Sequence, residues 1–285
     1  MLGLPLGYLS RHPIRGLGAI ARNPRETWNR IYDEYVYASE RRQPQFAYEA
    51  VADWERRLHD VLGVTWPCEA SPEVPLLWPS IVDTLSAKGI EIGPESYFHW
   101  NDGDPALIRA IWCLVRHLRP AKVVETGVAH GVSSRFILEA LKMNGAGRLW
   151  SIDLPPIEHA WQDHVGIAVG DEHRDRWQLI RGASRGHLRP LLAELESIDL
   201  FVHDSLHSAR NVRFELDHAW DVLTPGGAII VDDIDANSGF RSFLDAHRGY
   251  FSLVCEAEPV RPDLRRFNQR GLFGIILKTP PSGQA

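Results

Sequence analysis

Lys122-Val-Val-Glu125-Thr-Gly127-Val-Ala-His-Gly131-Val-Ser133 reads as a short β-rich run (Lys122 to Thr126) passing through a Gly-containing turn into a helix over Ser133 to Met143. The same alternation continues outward. Strands are expected at Leu149 to Ile152, Trp177 to Ile180, Leu200 to His203 and Ala228 to Val231, and helices around Leu188 to Leu195, Ala209 to Leu223 and Phe240 to His247. Short, mostly apolar strands separated by helices call for a parallel sheet buried on both faces, that is, a doubly wound α/β fold. Phe251 to Cys255 and Leu272 to Leu277 have no comparable helix between them, so an antiparallel hairpin at one sheet edge is predicted. The total is a seven-stranded, mostly parallel sheet.

Upstream the texture changes near residue 100, which divides the chain into a helical and irregular appendage over 1–100 and a core over 101–285. Glu26 to Glu40 and Phe46 to Leu62 have helical spacing of apolar residues, whereas Val64 to Ser80 holds Pro67, Pro72, Pro75 and Pro79 and is expected to be largely irregular. Asp104 and Pro105 open a helix at about 104–118 that leads into the core. With 44% hydrophobic and 24% charged residues the composition is that of a globular protein. Its 31 basic and 37 acidic side chains leave a formal charge of −6, which argues against a nucleic-acid partner. No apolar run is long enough for stable membrane insertion, and Arg11, Pro13, Arg15 and Arg22 interrupt the amino end. Cys68, Cys113 and Cys255 lie far apart and are odd in number, which offers no disulfide framework and no C-x-x-C metal site and fits a cytoplasmic location.

In an open parallel sheet, ligands sit beyond the carboxyl ends of the strands where strand order reverses. There the glycines at 127 and 131 permit a sharp turn, and Asp153, about 20 residues beyond, can accept hydrogen bonds from a ribose diol. The glycine spacing is not the G-x-G-x-x-G of a dinucleotide site, and Glu125 at the strand tip suits an ammonium group better than a pyrophosphate. A tight strand-to-helix connection without a ligand is the bland alternative. Strand four ends in His203-Asp204-Ser-Leu-His207 and strand five in Val231-Asp232-Asp233. Carboxylates converging on one rim repel each other unless solvated or bound to a cation, and hard oxygen donors suit Mg²⁺. Helix capping by Asp232 and Asp233 is the structural alternative.

The E-x-G-x-x-x-G-x-S pattern, with Asp153, resembles the class I S-adenosylmethionine-dependent methyltransferases over about residues 100–278, which implies a Rossmann-like core. By that resemblance Glu125 and Ser133 hold the methionine part of the cofactor, Gly127 and Gly131 shape its loop, Asp153 binds the ribose and Ser184 contacts the adenine edge. Ala129 stands where many members have glycine. Phe201-Val-His-Asp204-Ser-Leu-His207-Ser208, followed by Leu223-Thr-Pro-Gly-Gly227 and Asp232-Asp233, is similar to the metal-dependent O-methyltransferases of the catechol and macrocin (macrolide-sugar) types. This implies Mg²⁺ at Asp204, Asp232 and Asp233, with Asp204 also beside the cofactor. His207 stands where catechol-type enzymes have a lysine base, and an imidazole can take a proton from a hydroxyl; a satisfied structural histidine is the alternative. The acceptor implied is a small molecule with vicinal hydroxyls. Tyr97, Phe98, His99 and Trp100 would wall it or pack the appendage on the sheet, and Met1 to Ala21 would form a mobile or dimer-swapped arm. A hydroxylase-like metalloenzyme and a non-catalytic binding module are the rival readings.

Overall fold

The computed structural model describes residues 24–40, 48–90, 104–154, 162–258 and 271–279. Tyr97 to Trp100 and Met1 to Ala21 lie outside these. Within them the chain forms α1 (Pro24–Glu40), α2 (Trp54–Leu62), α3 (Glu73–Ser86), α4 (Pro105–Leu118), β1 (Lys122–Thr126), α5 (Val132–Asn144), β2 (Arg148–Asp153), β3 (Trp177–Arg181), α6 (Ser184–Leu195), β4 (Ile198–His203), α7 (Ala209–Val222), β5 (Leu223–Val231), α8 (Gly239–Ala246), β6 (Ser252–Glu256) and β7 (Leu272–Leu277). No helix among the described residues is long and apolar enough to cross a membrane.

The sheet has the order β3-β2-β1-β4-β5-β7-β6. β1 to β5 run parallel, and β7 pairs antiparallel with both β5 and β6, as the hairpin expectation required. The order reverses between β1 and β4, whose carboxyl ends therefore flank the crevice where such sheets bind ligands. Period-two burial splits the strands between two cores. Val123, Leu149, Leu200, Val202, Ala228 and Ile230 face α4 and α5, while Val124, Ile152, Phe201, Ile229 and Val231 face α6, α7 and α8.

Two expectations upstream of the core need correction. Residues 73–86 are helical despite their prolines. Pro72 precedes the helix and Pro75 lies in its first turn, where the backbone N–H has no intrahelical partner in any case; only Pro79 sits inside. Its cost of about 3 kcal/mol is outweighed by burial of Val74, Ile81 and Leu85 on the first core, at about 1.5–3 kcal/mol per side chain. Conversely, the helix expected from Phe46 begins only at Trp54. Residues 48–50 are irregular, and Val51 N–H donates to Val254 O of β6 at 2.8 Å, so the sheet edge takes the hydrogen bond that a helix would have used.

Candidate active site

At the tip of β1 the ladder bonds run on into the turn: Gly127 N–H donates to Ile152 O and Asp204 N–H to Thr126 O. Gly127 has φ +84°, and a Cβ there would lie 1.9 Å from the Asp204 carbonyl oxygen. Glycine at 127 is thus demanded by the close approach of two strand tips, a reason internal to the protein and additional to any ligand. Gly131, also at φ +84°, abuts Gly166 in the same way. Between them Ala129 adopts φ +47°, a conformation that L residues avoid. The turn holds it there by bonds from Gly166 N–H to Ala129 O and from Ala168 N–H to His130 O, each 2.8 Å.

Asp153, at the end of β2, accepts the N–H groups of Val128 (2.7 Å) and Ala129 (2.9 Å) through one oxygen, Oδ2. It therefore builds the turn in addition to standing beside the crevice. Glu125 is fully buried and accepts three hydroxyls, from Ser133 (2.7 Å), Ser134 (2.5 Å) and Ser151 (2.8 Å). Burial raises its carboxyl above the usual range, and the three hydroxyls only partly offset this. The structure places Ser133, partly exposed, in front of Glu125. Direct contact of Glu125 with a ligand would require one hydroxyl to give way, so the two residues expected to share the methionine part stand one behind the other. Ser184 opens α6 with its Oγ 3.5 Å from Asn211 Oδ1, which ties it to α7.

The second half of the site is acidic. Asp204, His207 and Asp232 bring one ligand atom each within 4.8 Å of one another. His207 Nε2 lies 3.7 Å from Asp204 Oδ1 and 3.8 Å from Asp233 Oδ2. Asp204, His207 and Asp232 thus gather as one group, and Asp233 approaches the same imidazole nitrogen as Asp204. Asp233 adopts φ +49°, and Asn237 Nδ2 donates to His207 O at 3.0 Å, which fixes the loop carrying the histidine. Next to this group Asp235 is pushed up by burial and by the charges of Asp233 and Asp232, as expected where like charges crowd. Two aspartate oxygens with an imidazole beside them form a donor set that a hard divalent cation accepts.

Beneath the rim lies a network absent from the sequence expectations. Glu215 of α7 is fully buried and accepts Thr126 Oγ1 (2.5 Å), Ser205 Oγ (2.8 Å) and Asn211 Nδ2 (2.8 Å), with His203 Nδ1 at 2.6 Å. Burial alone would raise its carboxyl; the His203 charge and these donors overcome that and hold it down at about 2. The network joins the tips of β1 and β4 to α7, directly under Asp204. Its only sequence signal was Glu215 at a buried position of an otherwise ordinary amphipathic helix. α1 is fastened to the start of α7: Glu40 Oε2 accepts Ala209 N–H at 2.7 Å, capping α7 two residues after His207, and Tyr32 bonds Arg210 and lies under Arg185.

Doubly wound topology, a glycine turn at the switch point and acids on the flanking strand tips form the core of the chain, within which residues 124–234 match the family model described as Methyltransferase domain. Over those residues the chain carries the pattern of a methyltransferase domain. Among solved structures it is similar to the O-methyltransferase of Bacillus cereus in complex with SAH (15% identity, 79% of this chain and 97% of that one, TM-score 0.51). It is equally similar to the O-methyltransferase TomG of Streptomyces achromogenes, which is involved in tomaymycin synthesis and was solved with SAM (15% identity, 80% and 100%, TM-score 0.51). At such identity the likeness concerns the fold. No protein of curated function matches the chain in sequence.

Proposed function

We propose that this protein is an O-methyltransferase that moves a methyl group from S-adenosylmethionine to one of two vicinal hydroxyls of a small molecule, a sugar or a catechol-like diol, with help from Mg²⁺. The observation that carries this reading is the gathering of Asp204, His207 and Asp232 within 4.8 Å at the switch point, with Asp233 against His207. S-adenosylmethionine supplies an electrophilic methyl on sulfur, and transfer is an in-line displacement by an oxygen. Gly127, Gly131 and Ser133 line the cofactor turn, Asp153 offers its carboxylate to the ribose while bracing that turn, and Ser184 stands toward the adenine side. Asp204, Asp232 and Asp233 would hold Mg²⁺, which lowers the pKa of a hydroxyl it binds. His207 takes the proton of the attacking hydroxyl, positioned for it by the Asn237 bond to its carbonyl. α1, fastened over the start of α7 by Glu40 and Tyr32, forms one wall for the acceptor.

The cluster contains one histidine among its three groups, since His203 is turned to Glu215. An iron-dependent hydroxylase would call for two histidines and one carboxylate, so this donor set favours the transferase reading.

The test is methyl transfer to a panel of catechols and sugars bearing vicinal hydroxyls, with Mg²⁺ or with excess EDTA. Transfer that requires the metal and falls at least about 100-fold in His207→Ala is expected. Full activity in chelator overturns the metal role, and an unchanged His207→Ala rate overturns the base.

A further inference from the structure

Away from the rim, the packing of α2 and its following loop against α4 gathers two cysteines and two histidines that the sequence keeps far apart. Cys113 and His117 are four apart, on one face of α4. His59 comes from the last turn of α2, and Cys68 from the loop after it. Their four ligand atoms all lie within 4.8 Å of one another. The Cys68 and Cys113 sulfurs are 3.8 Å apart, and Cys68 Sγ is 3.1 Å from His117 Nε2.

We infer that His59, Cys68, Cys113 and His117 form a structural zinc site that staples α2 and the 63–72 loop onto α4. Tetrahedral Zn²⁺ with Zn–S near 2.3 Å and Zn–N near 2.0–2.1 Å sets its two sulfurs about 3.8 Å apart, the separation found here. His59 supplies the independent observation. Its Nδ1 lies 2.6 Å from the Glu55 carbonyl, which can only accept, so Nδ1 carries the proton and Nε2 bears the lone pair. That Nε2 belongs to a fully buried ring and has no hydrogen-bond partner. A backbone carbonyl fixing the tautomer behind a ligating imidazole is the usual outer-shell arrangement of zinc histidines.

The surroundings fit a closed site. Cys68 and Cys113 are 4% and 2% exposed. Ser71 Oγ lies 3.7 Å from Cys113 Sγ, Trp66 packs on the His59 ring, and Trp112 Nε1 donates to Ala70 O at 2.8 Å, holding the loop against α4. Four protein donors leave no open position, so the ion would be structural. α4 runs into β1 through residues 119–121, which puts His117 at the amino ends of the strands, on the side opposite the rim. Soft sulfur donors separate this site chemically from the oxygen-rich rim. A Cys68–Cys113 disulfide is the competing use of the sulfurs, but it would give the two imidazoles nothing to do.

The experiment is metal analysis of the full-length reduced protein, followed by exchange of its metal for Co²⁺. About one zinc per chain, retained in Asp232→Asn, is expected. The cobalt protein should show thiolate-to-metal charge transfer, which no rim residue can produce, and the intense visible bands of tetrahedral cobalt. Cys113→Ser should lose the zinc. Should that variant fail to fold, His117→Ala, at a partly exposed position, should give a shifted cobalt spectrum and weaker zinc retention against a competing chelator. Protein that is metal-free as isolated and shows no charge-transfer band with Co²⁺ overturns the inference. So does a Cys68–Cys113 disulfide found by peptide mapping of the native chain.

Discussion

Replacing Glu215 by glutamine should remove a large part of the stability of this fold, and the loss should depend on pH in a defined way. The wild-type carboxylate is fully buried and faces three donors and His203. An amide keeps the shape but turns one NH₂ group toward donors, so at least one hydroxyl or amide is left unsatisfied. The fall of the carboxyl from 4.5 to about 2 on folding corresponds to about 3 kcal/mol. Because the folded-state value is the lower one, this stabilisation is fully present above about pH 4.5 and disappears as the pH falls from 4.5 toward 2. Urea unfolding at a series of pH values should therefore show Glu215→Gln about 3 kcal/mol less stable at pH 7, in line with the cost of breaking a buried pair, with the gap narrowing in acid. Thermal unfolding at pH 7 should drop by about 6–12 °C. A difference below about 0.5 kcal/mol at pH 7, or one that stays constant from pH 7 to 3, would refute the view that a buried ionised Glu215 ties β1 and β4 to α7.

Two further substitutions probe the geometry of the crevice. Gly127→Ala would place a Cβ 1.9 Å from the Asp204 carbonyl oxygen at φ +84°; beyond about 1–2 kcal/mol of backbone strain, the β1 and β4 tips must separate. Binding of S-adenosylhomocysteine by calorimetry should weaken at least tenfold, and unchanged affinity would show that the two tips are not as rigidly apposed as they stand here. Glu40→Ala removes the carboxylate that caps α7, with an expected stability loss of about 1 kcal/mol. The acceptor KM should rise while cofactor affinity holds, and a KM equal to wild type would remove α1 from the acceptor wall.

What the chain announces by itself is the local part. Strand and helix alternation from Lys122 onward follows from short β-branched runs, glycine turns and amphipathic spacing, all of which act within ten or fifteen residues. Topology then delivers Asp153, Asp204 and Asp232 to one rim, because parallel strands place all their carboxyl ends on the same side of a sheet. Residues 73–86 already lie beyond that reach: the four prolines from Pro67 to Pro79 point to irregular chain, and only a core into which Val74, Ile81 and Leu85 can sink reverses the balance.

The tertiary structure alone decided how the acids and their neighbours are used. Side-chain direction put the His207 Nε2 within 4 Å of both Asp204 and Asp233, and Ser133 in front of Glu125. Helix packing set Glu215 under His203, and it brought Cys68 to Cys113 across 45 residues of chain that give no spacing signal. Such contacts depend on which faces of separate elements meet. That is fixed by the burial of the whole core, so no stretch of sequence read on its own contains it.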